Sequence, residues 1–293
     1  MILSQRKQQS LAGSASVVGF GYWSGQDVRV EFRPAPPHTG VVFVRADLPG
    51  NPRIPAQVAH RIETPRRTTL TLKKANVEMI EHILAALAGL HVDNCEVWVD
   101  QPEMPGCDGS SQPFVDAILQ AGIVQQNAMR DQLIVREVTR LGGEDSWIEA
   151  RPVKTPEFSI RYRLDYGIGN GIGRQTAQLK ITPATFRTEL ATCRTFMLKH
   201  EADWLLEQGL GSRAALTDLL VFDETGPIDN TLRFEDECVR HKILDMVGDF
   251  ALAGCDIVGH FVAHRSGHRL NSEMVRVLLA EGQKVSGEQR RSA

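Results

Sequence analysis

Short apolar runs alternate with turn signals over the first 60 residues. SVVGFGYWSG, DVRVEFRP and GVVFVRADLPG, the last two separated by Pro34, Pro36, Pro37 and Gly40, read as strands. At Val77 the period changes. Val77, Ile80, Leu84 and Leu87 recur at spacings of three, four and three, with Ile83 beside them and Gly89 as a stop. That spacing predicts a helix of about 14 residues. CEVWV (95–99) is then a strand, MPGCDGSSQ a loop, and Pro113 opens a second helix through Leu119. QQNAMRDQ (125–132) is polar and pattern-free, which places a domain boundary there and divides the chain into 1–127 and 128–293. LIVREVTRL, WIEARP, FSIRYRLDY and TAQLKIT follow as strands, with GIGNGIG (167–173) as a hairpin or loop. The second half closes with a helix (235–253), a strand (256–263), a loop (264–271) and a helix (273–281).

The two halves end in one order: EHILAALAGL, NCEVWV, a glycine-containing loop and a helix, then RHKILDMVGDFALAG, CDIVGHFV, a loop and a helix. This is a candidate internal duplication, and it predicts an α+β fold of two similar domains, each a strand layer covered by helices, packed face to face. At about 150 residues per domain, 293 residues support two domains with a core each.

A content of 42% hydrophobic and 24% charged residues excludes disorder, collagen and coiled coil. Thirty-three Lys and Arg against 36 Asp and Glu leave a net charge of −3, too weak a field for general nucleic-acid binding. The five cysteines (Cys95, Cys107, Cys193, Cys238, Cys255) are scattered and form no CxxC pair, so neither a disulfide framework nor a cysteine zinc cage is expected. MILSQRKQQS carries charges where a signal peptide has its apolar segment, and no apolar run approaches about 18 residues. A cytoplasmic monomer without stable membrane insertion is the expectation, which still allows an acyl chain to enter a groove.

RHKILDMVGD (240–249) carries the most chemistry. On a helix, His241 and Asp245 lie four apart on one face, with Asp249 a further turn along. Imidazole and carboxylate make a common zinc donor set, and a rigid helix fixes two such ligands at little entropic cost. The first half offers Glu81 and His82, which interrupt the apolar stretch VEMIEHILAALAGL where polar groups are costly without a partner. Adjacent helical residues point about 100° apart, so a metal at the helix edge can take His82 while Glu81 faces its water as a base, an arrangement suited to a hydrolase. SGHRLN puts His268 in a loop after a strand, placed to protonate a leaving amine with Asp249 as its carboxylate partner. Each pattern also has a plain structural reading: a solvated polar face, a buried polar pair, a surface loop. His38, His60, His91, His200, His260 and His264 are left in that last class. The P-loop, HExxH and GxSxG signatures are absent.

RPAPPHTGVVFVRADL, EHILAALAGL, DGSSQPFV, RTF (194–196), LRFEDECVRHKILDMVGD and SGHRLN, in this order, give the chain an end-to-end resemblance to the UDP-3-O-acyl-N-acetylglucosamine deacetylases, zinc hydrolases of lipid A biosynthesis. The resemblance implies a fold of two related α+β domains with the active site between them. It implies zinc on His82, His241 and Asp245 and Glu81 as general base; the same nitrogen and oxygen donors accept several divalent metals, which leaves Fe2+ open as the native ion. Thr195 would stabilise the oxyanion, Lys242 would contact substrate near the reaction centre, and His268 with Asp249 would protonate the amine. Phe196 would lie against the sugar or nucleotide. An insertion at about 192–222 would form a passage for the acyl chain of the UDP-linked glucosamine, lined by Met197, Trp204, Leu205, Leu210, Leu216 and Leu219. Three departures stand out. GYWSG puts Trp23 where the family usually has histidine; Gly106 and Cys107 stand where larger apolar residues are usual; and GIGNGIG replaces a more polar segment. They leave open two other readings: a deacetylase of a different acylated amino sugar, and a non-catalytic ligand-binding paralogue.

Overall fold

The computed structural model describes residues 6–281 and the short strand Lys284–Val285. The fold is α+β. Several sheets are joined by helices α1 (Glu81–Gly89), α2 (Gln112–Ala121), α3 (Pro183–Thr185, running on into a π turn), α4 (Lys199–Glu207), α5 (Glu237–Phe250) and α6 (His268–Ala280). No helix among the described residues is long and apolar enough to cross a membrane.

Strand Cys95–Val99 is the middle of the first half's five-stranded sheet. It runs antiparallel to Asp27–Pro34 and parallel to Val41–Arg45, each of which carries a hairpin partner, Ala15–Phe20 and Arg53–Pro55 respectively. Alternation builds these strands: Val28, Val30 and Phe32 turn inward while Asp27 and Arg29 face out. In the second half Asp256–His264 takes the same place. It is antiparallel to Trp147–Arg151 and parallel to Phe158–Asp165, whose hairpin partners are Thr139–Gly142 and Arg174–Lys180. The two five-strand paths therefore share order and directions.

Four expectations need correction. The helix expected from Val77 starts only at Glu81, because Ala75–Glu78 is a strand and Met79, at φ 56°, breaks the chain between them. Val77 is buried as an inward strand position, which mimics a helical spacing over so short a run. The stretch 125–132, expected to carry no pattern, contributes instead to strand Ile123–Met129, paired antiparallel with Lys7–Leu11; its polar residues fit a two-stranded ribbon. Residues 264–271 are not all loop, since α6 begins at His268, capped by the extended Gly267. Finally, the buried apolar side chains form one continuous cluster through both halves, not two cores.

That continuity comes from α1 and α5, which pack directly on one another. Eight of the nine residues of α1 are buried, as expected for a helix enclosed on all sides. Ile83, Leu84, Leu87, Ile243, Leu244 and Val247 are all at most 2% exposed; each such burial is worth roughly 1.5–3 kcal/mol. The approach is close because α5 carries Gly248, where a Cβ would stand 2.1 Å from the Glu81 carbonyl oxygen. A polar clasp ties the halves elsewhere. Arg6 bonds Asp93 at 2.6 and 2.7 Å and Asp256 at 2.7 and 2.9 Å, and Arg130 Nε lies 2.9 Å from Asp93.

Gly248→Ala is expected to destabilise the fold by about 2 kcal/mol or more, the cost of overpacking against backbone that cannot rotate away. A urea unfolding midpoint equal to wild type is the outcome that contradicts this contact.

Candidate active site

Three donor groups meet where α1 crosses α5. One ligand atom each of His82, His241 and Asp245 lies within 4.8 Å of the other two, and all three residues are buried. Asp245 Oδ1 is 3.3 Å from His241 Nε2 and 3.7 Å from His82 Nε2. The shorter gap exceeds an ordinary hydrogen bond, and such separations fit donors about 2.1 Å from a shared divalent ion, which stand roughly 3.4 Å apart in a tetrahedron. His241 Nδ1 donates to the Cys193 carbonyl at 3.0 Å. A carbonyl can only accept, so the lone pair sits on Nε2, facing Asp245. Burial pushes His82 down to about 3, helped by the neighbouring His241, and lowers His241 too. Both imidazoles are thus neutral, the form that ligates.

Two carboxylates beside each other take opposite directions. Burial raises Glu81 to about 7. Burial would also raise Asp245, but the Lys242 ammonium, 2.7 Å from Oδ2, and the nearby imidazoles hold it well below the usual carboxylate range. Glu81 Oε2 accepts the Thr68 N–H at 3.0 Å, and Thr68 Oγ1 donates to Asp249 Oδ1 at 2.6 Å.

Asp249 is fully buried and accepts three bonds, the other two from His268 Nδ1 at 2.9 Å and Asn271 Nδ2 at 2.8 Å. Burial alone would lower His268, but the charge and hydrogen bond of Asp249 override it and hold the imidazole at about 9. With Nδ1 engaged, Nε2 is the nitrogen free for other partners.

These groups share a cavity of about 570 Å³. Glu81, His82, Thr195, Phe196, His241, Lys242, Asp245 and His268 all line it, whereas Asp249 sits behind His268, off the wall. Thr195 is fixed through its backbone, its N–H on the Gly109 carbonyl at 2.8 Å and its carbonyl accepting from Leu220 at 3.0 Å. Phe196 packs its ring edge-on to His241, centroids 6.2 Å apart, and lies 5.9 Å from Lys242 Nζ. An apolar arm is formed by Met197, Leu205, Leu210, Leu216 and Leu219, as expected, together with Tyr22 and Val221. Trp204 is off this wall and 54% exposed; on α4 only Leu205 is buried. Trp23 lines the cavity, its indole covered by the Arg67 guanidinium at 4.7 Å and its backbone N–H donating to Glu103 Oε1 at 2.8 Å.

Sequence reasoning missed Thr68, Asn271 and the Cys193 carbonyl. Asn271 had a signal, three residues after His268 on one helical face. Thr68 and a main-chain oxygen had none.

The family model for UDP-3-O-acyl N-acetylglycosamine deacetylase (LpxC) matches residues 8–280. A protein of Thermosynechococcus vestitus named UDP-3-O-acyl-N-acetylglucosamine deacetylase is 39% identical over 94% of this chain and 94% of its own length. Proteins of the same name from Haemophilus influenzae and Brucella ovis are each 36% identical over 94% of this chain, with 90% and 96% of their own lengths covered.

The Asp249–His268 pair yields a pH prediction. Because the folded value of His268 lies above the ordinary 6.5 or so, its stabilising contribution is full below about pH 6.5 and lost as pH rises through about 9. Asp249→Asn is expected to shift the His268 imidazole titration, followed by NMR, down towards 6.5 or below. An unmoved titration would mean that some other group holds the proton.

Proposed function

The chain belongs to the UDP-3-O-acyl N-acetylglycosamine deacetylase family, and from that footing we propose that it hydrolyses the N-acetyl group of a UDP-linked 3-O-acyl glucosamine, releasing acetate, in lipid A biosynthesis. The observation that carries the reading is one cavity in which a buried His-His-Asp cluster, a carboxyl raised by burial and a protonated histidine converge.

His82, His241 and Asp245 would hold the metal, zinc by donor type with Fe2+ accepted by the same set. When bound, such an ion polarises the acyl carbonyl and makes water more acidic. Glu81 accepts the proton as the water oxygen attacks the acetamide carbon; its value near 7 suits a base at neutral pH. Thr195 Oγ1 and the Lys242 ammonium stabilise the negative charge that develops on the carbonyl oxygen. His268 Nε2 then gives its proton to the departing nitrogen as the C–N bond breaks, leaving acetate and the free amine. Asp249 keeps His268 oriented and charged, and Thr68 and Asn271 keep Asp249 in place. Phe196 offers a flat apolar face for the sugar or nucleotide. The apolar arm within the 192–222 insertion takes the acyl chain.

The shared strand order of the two sheets supports division into related halves, 1–127 and 128–293, each a sheet with covering helices and the site between them. One chain supplies every group named, which fits a working monomer. Five cysteines, none in a disulfide among the described residues, fit a cytoplasmic setting. Trp23 on the cavity wall favours a second reading, in which the same chemistry acts on a different acylated amino sugar.

Acetate release from the UDP-linked substrate should be abolished by a chelator and restored by zinc. Glu81→Ala and His268→Ala should each lose about 10² to 10⁴ in kcat while staying folded. No release from folded, metal-loaded protein transfers the reaction to another acylated sugar or leaves a binding protein. Near-normal turnover of either variant removes the role given to that residue.

A further inference from the structure

The segment that walls the apolar arm between α4 and strand Leu220–Phe222 consists of turns, with no helix or sheet ladder to hold it. Three side chains tether it. The Asn230 amide holds the Leu216 carbonyl at 2.7 Å from within the same half. The other two ties come from across the seam. Arg213 reaches the Gly25 carbonyl at 3.1 Å and Asp27 at 2.6 Å while covering the Phe20 ring at 4.4 Å. Tyr22 donates its phenolic hydrogen to the Asp218 carbonyl, with the Cys107 carbonyl 3.1 Å away as a second acceptor. Burial raises the phenol, which favours its protonated, donating form.

Tyr22 can lie there because residue 106 is glycine. A Cβ at Gly106 would stand 2.1, 2.3 and 2.5 Å from three atoms of the Tyr22 ring, so any larger residue and this ring exclude each other. The ring also lines the cavity itself. Tyr22, Gly106 and the Asp218 carbonyl are therefore one packed unit, built from both halves, on the wall of the apolar arm.

Resting on the acyl-chain reading of that arm, we infer that Tyr22 is a specificity residue: by holding Asp218 from across the seam, it fixes the width of the arm and thereby which acyl-chain length fits best. It acts partly through direct contact with the chain and partly by positioning the turn segment. It takes no part in the proton transfers.

The test uses the full chain and a graded series of free 3-hydroxy fatty acids, short to long, with Kd from calorimetry and uridine diphosphate as a ligand without an acyl chain. Tyr22→Phe, which keeps the ring and removes one hydrogen bond, should weaken the best-fitting acid by about fivefold. It should flatten the dependence on chain length and leave uridine diphosphate binding at wild-type strength. Gly106→Val should weaken the longer acids more, and combining it with Tyr22→Leu should recover most of that loss. An unchanged length profile in Tyr22→Phe, or an equal loss for every acid and for uridine diphosphate, overturns the inference. So does a double variant no better than Gly106→Val alone. If the wild-type protein binds none of the acids, the acyl-chain reading itself falls, an outcome distinct from chain binding that ignores Tyr22.

Discussion

The His-His-Asp cluster at the heart of the candidate site depends on how closely two helix backbones approach. His82 belongs to the first half and His241 and Asp245 to the second, so the cluster exists only where α1 lies against α5, and Gly248 sets that distance by placing hydrogen where a Cβ would strike the Glu81 carbonyl. The contact also encloses Glu81, His82, Asp245 and Asp249, polar groups whose burial is unfavourable on its own. What offsets them is the apolar residue set along both helices. The i, i+4 spacing of His241 and Asp245 adds rigidity, because both ligands ride on one element.

Within that enclosure, small differences in neighbours produce large differences in charge. Glu81 and Asp245 are equally shielded from water, yet only Asp245 has an ammonium against it, and their proton affinities diverge accordingly. His82 and His268 diverge in the opposite sense: the first faces another imidazole and stays neutral, the second faces Asp249 and stays charged. One cavity thus holds two imidazoles and an Asp245 carboxyl shifted down, beside Glu81 raised to about 7 and His268 held at about 9. Such separation of like groups by environment is how acid and base work coexist in one cavity.

Much of this was legible from local pattern. The spacing within RHKILDMVGD, the polar interruption in VEMIEHILAALAGL and the position of SGHRLN named the groups that meet. The repeated helix, strand, loop and helix order corresponds to a five-strand path of like order in each half, within a five-stranded and a seven-stranded sheet. What escaped was set by partners remote in sequence. Thr68 acquires its role from residues 13 and 181 positions away, and the 123–129 strand exists because Lys7–Leu11 pairs with it. The helix boundary at Met79 depends on a left-handed residue that apolar spacing does not reveal. The separate cores expected from chain length became one because the helices that carry His82, His241 and Asp245 are also the ones that join the halves.

The seam between the halves is consequently not a passive boundary. It is fastened by three dissimilar contacts: helix against helix at Gly248, a polar clasp of Arg6 and Arg130 with Asp93 and Asp256, and the Tyr22 and Arg213 ties to the turn segment. The first is apolar and so close that a Cβ at residue 248 would stand 2.1 Å from the Glu81 carbonyl oxygen. The last relies on single hydrogen bonds and an exposed ion pair, each worth about 1 kcal/mol or less. The fastening is therefore graded along the seam, helix against helix at the His-His-Asp cluster and a few side-chain ties at the apolar arm. That gradient divides one cavity in two: the groups of the His-His-Asp cluster are enclosed between two packed helices, whereas the turn segment on the wall of the apolar arm is held by the side chains of Asn230, Arg213 and Tyr22.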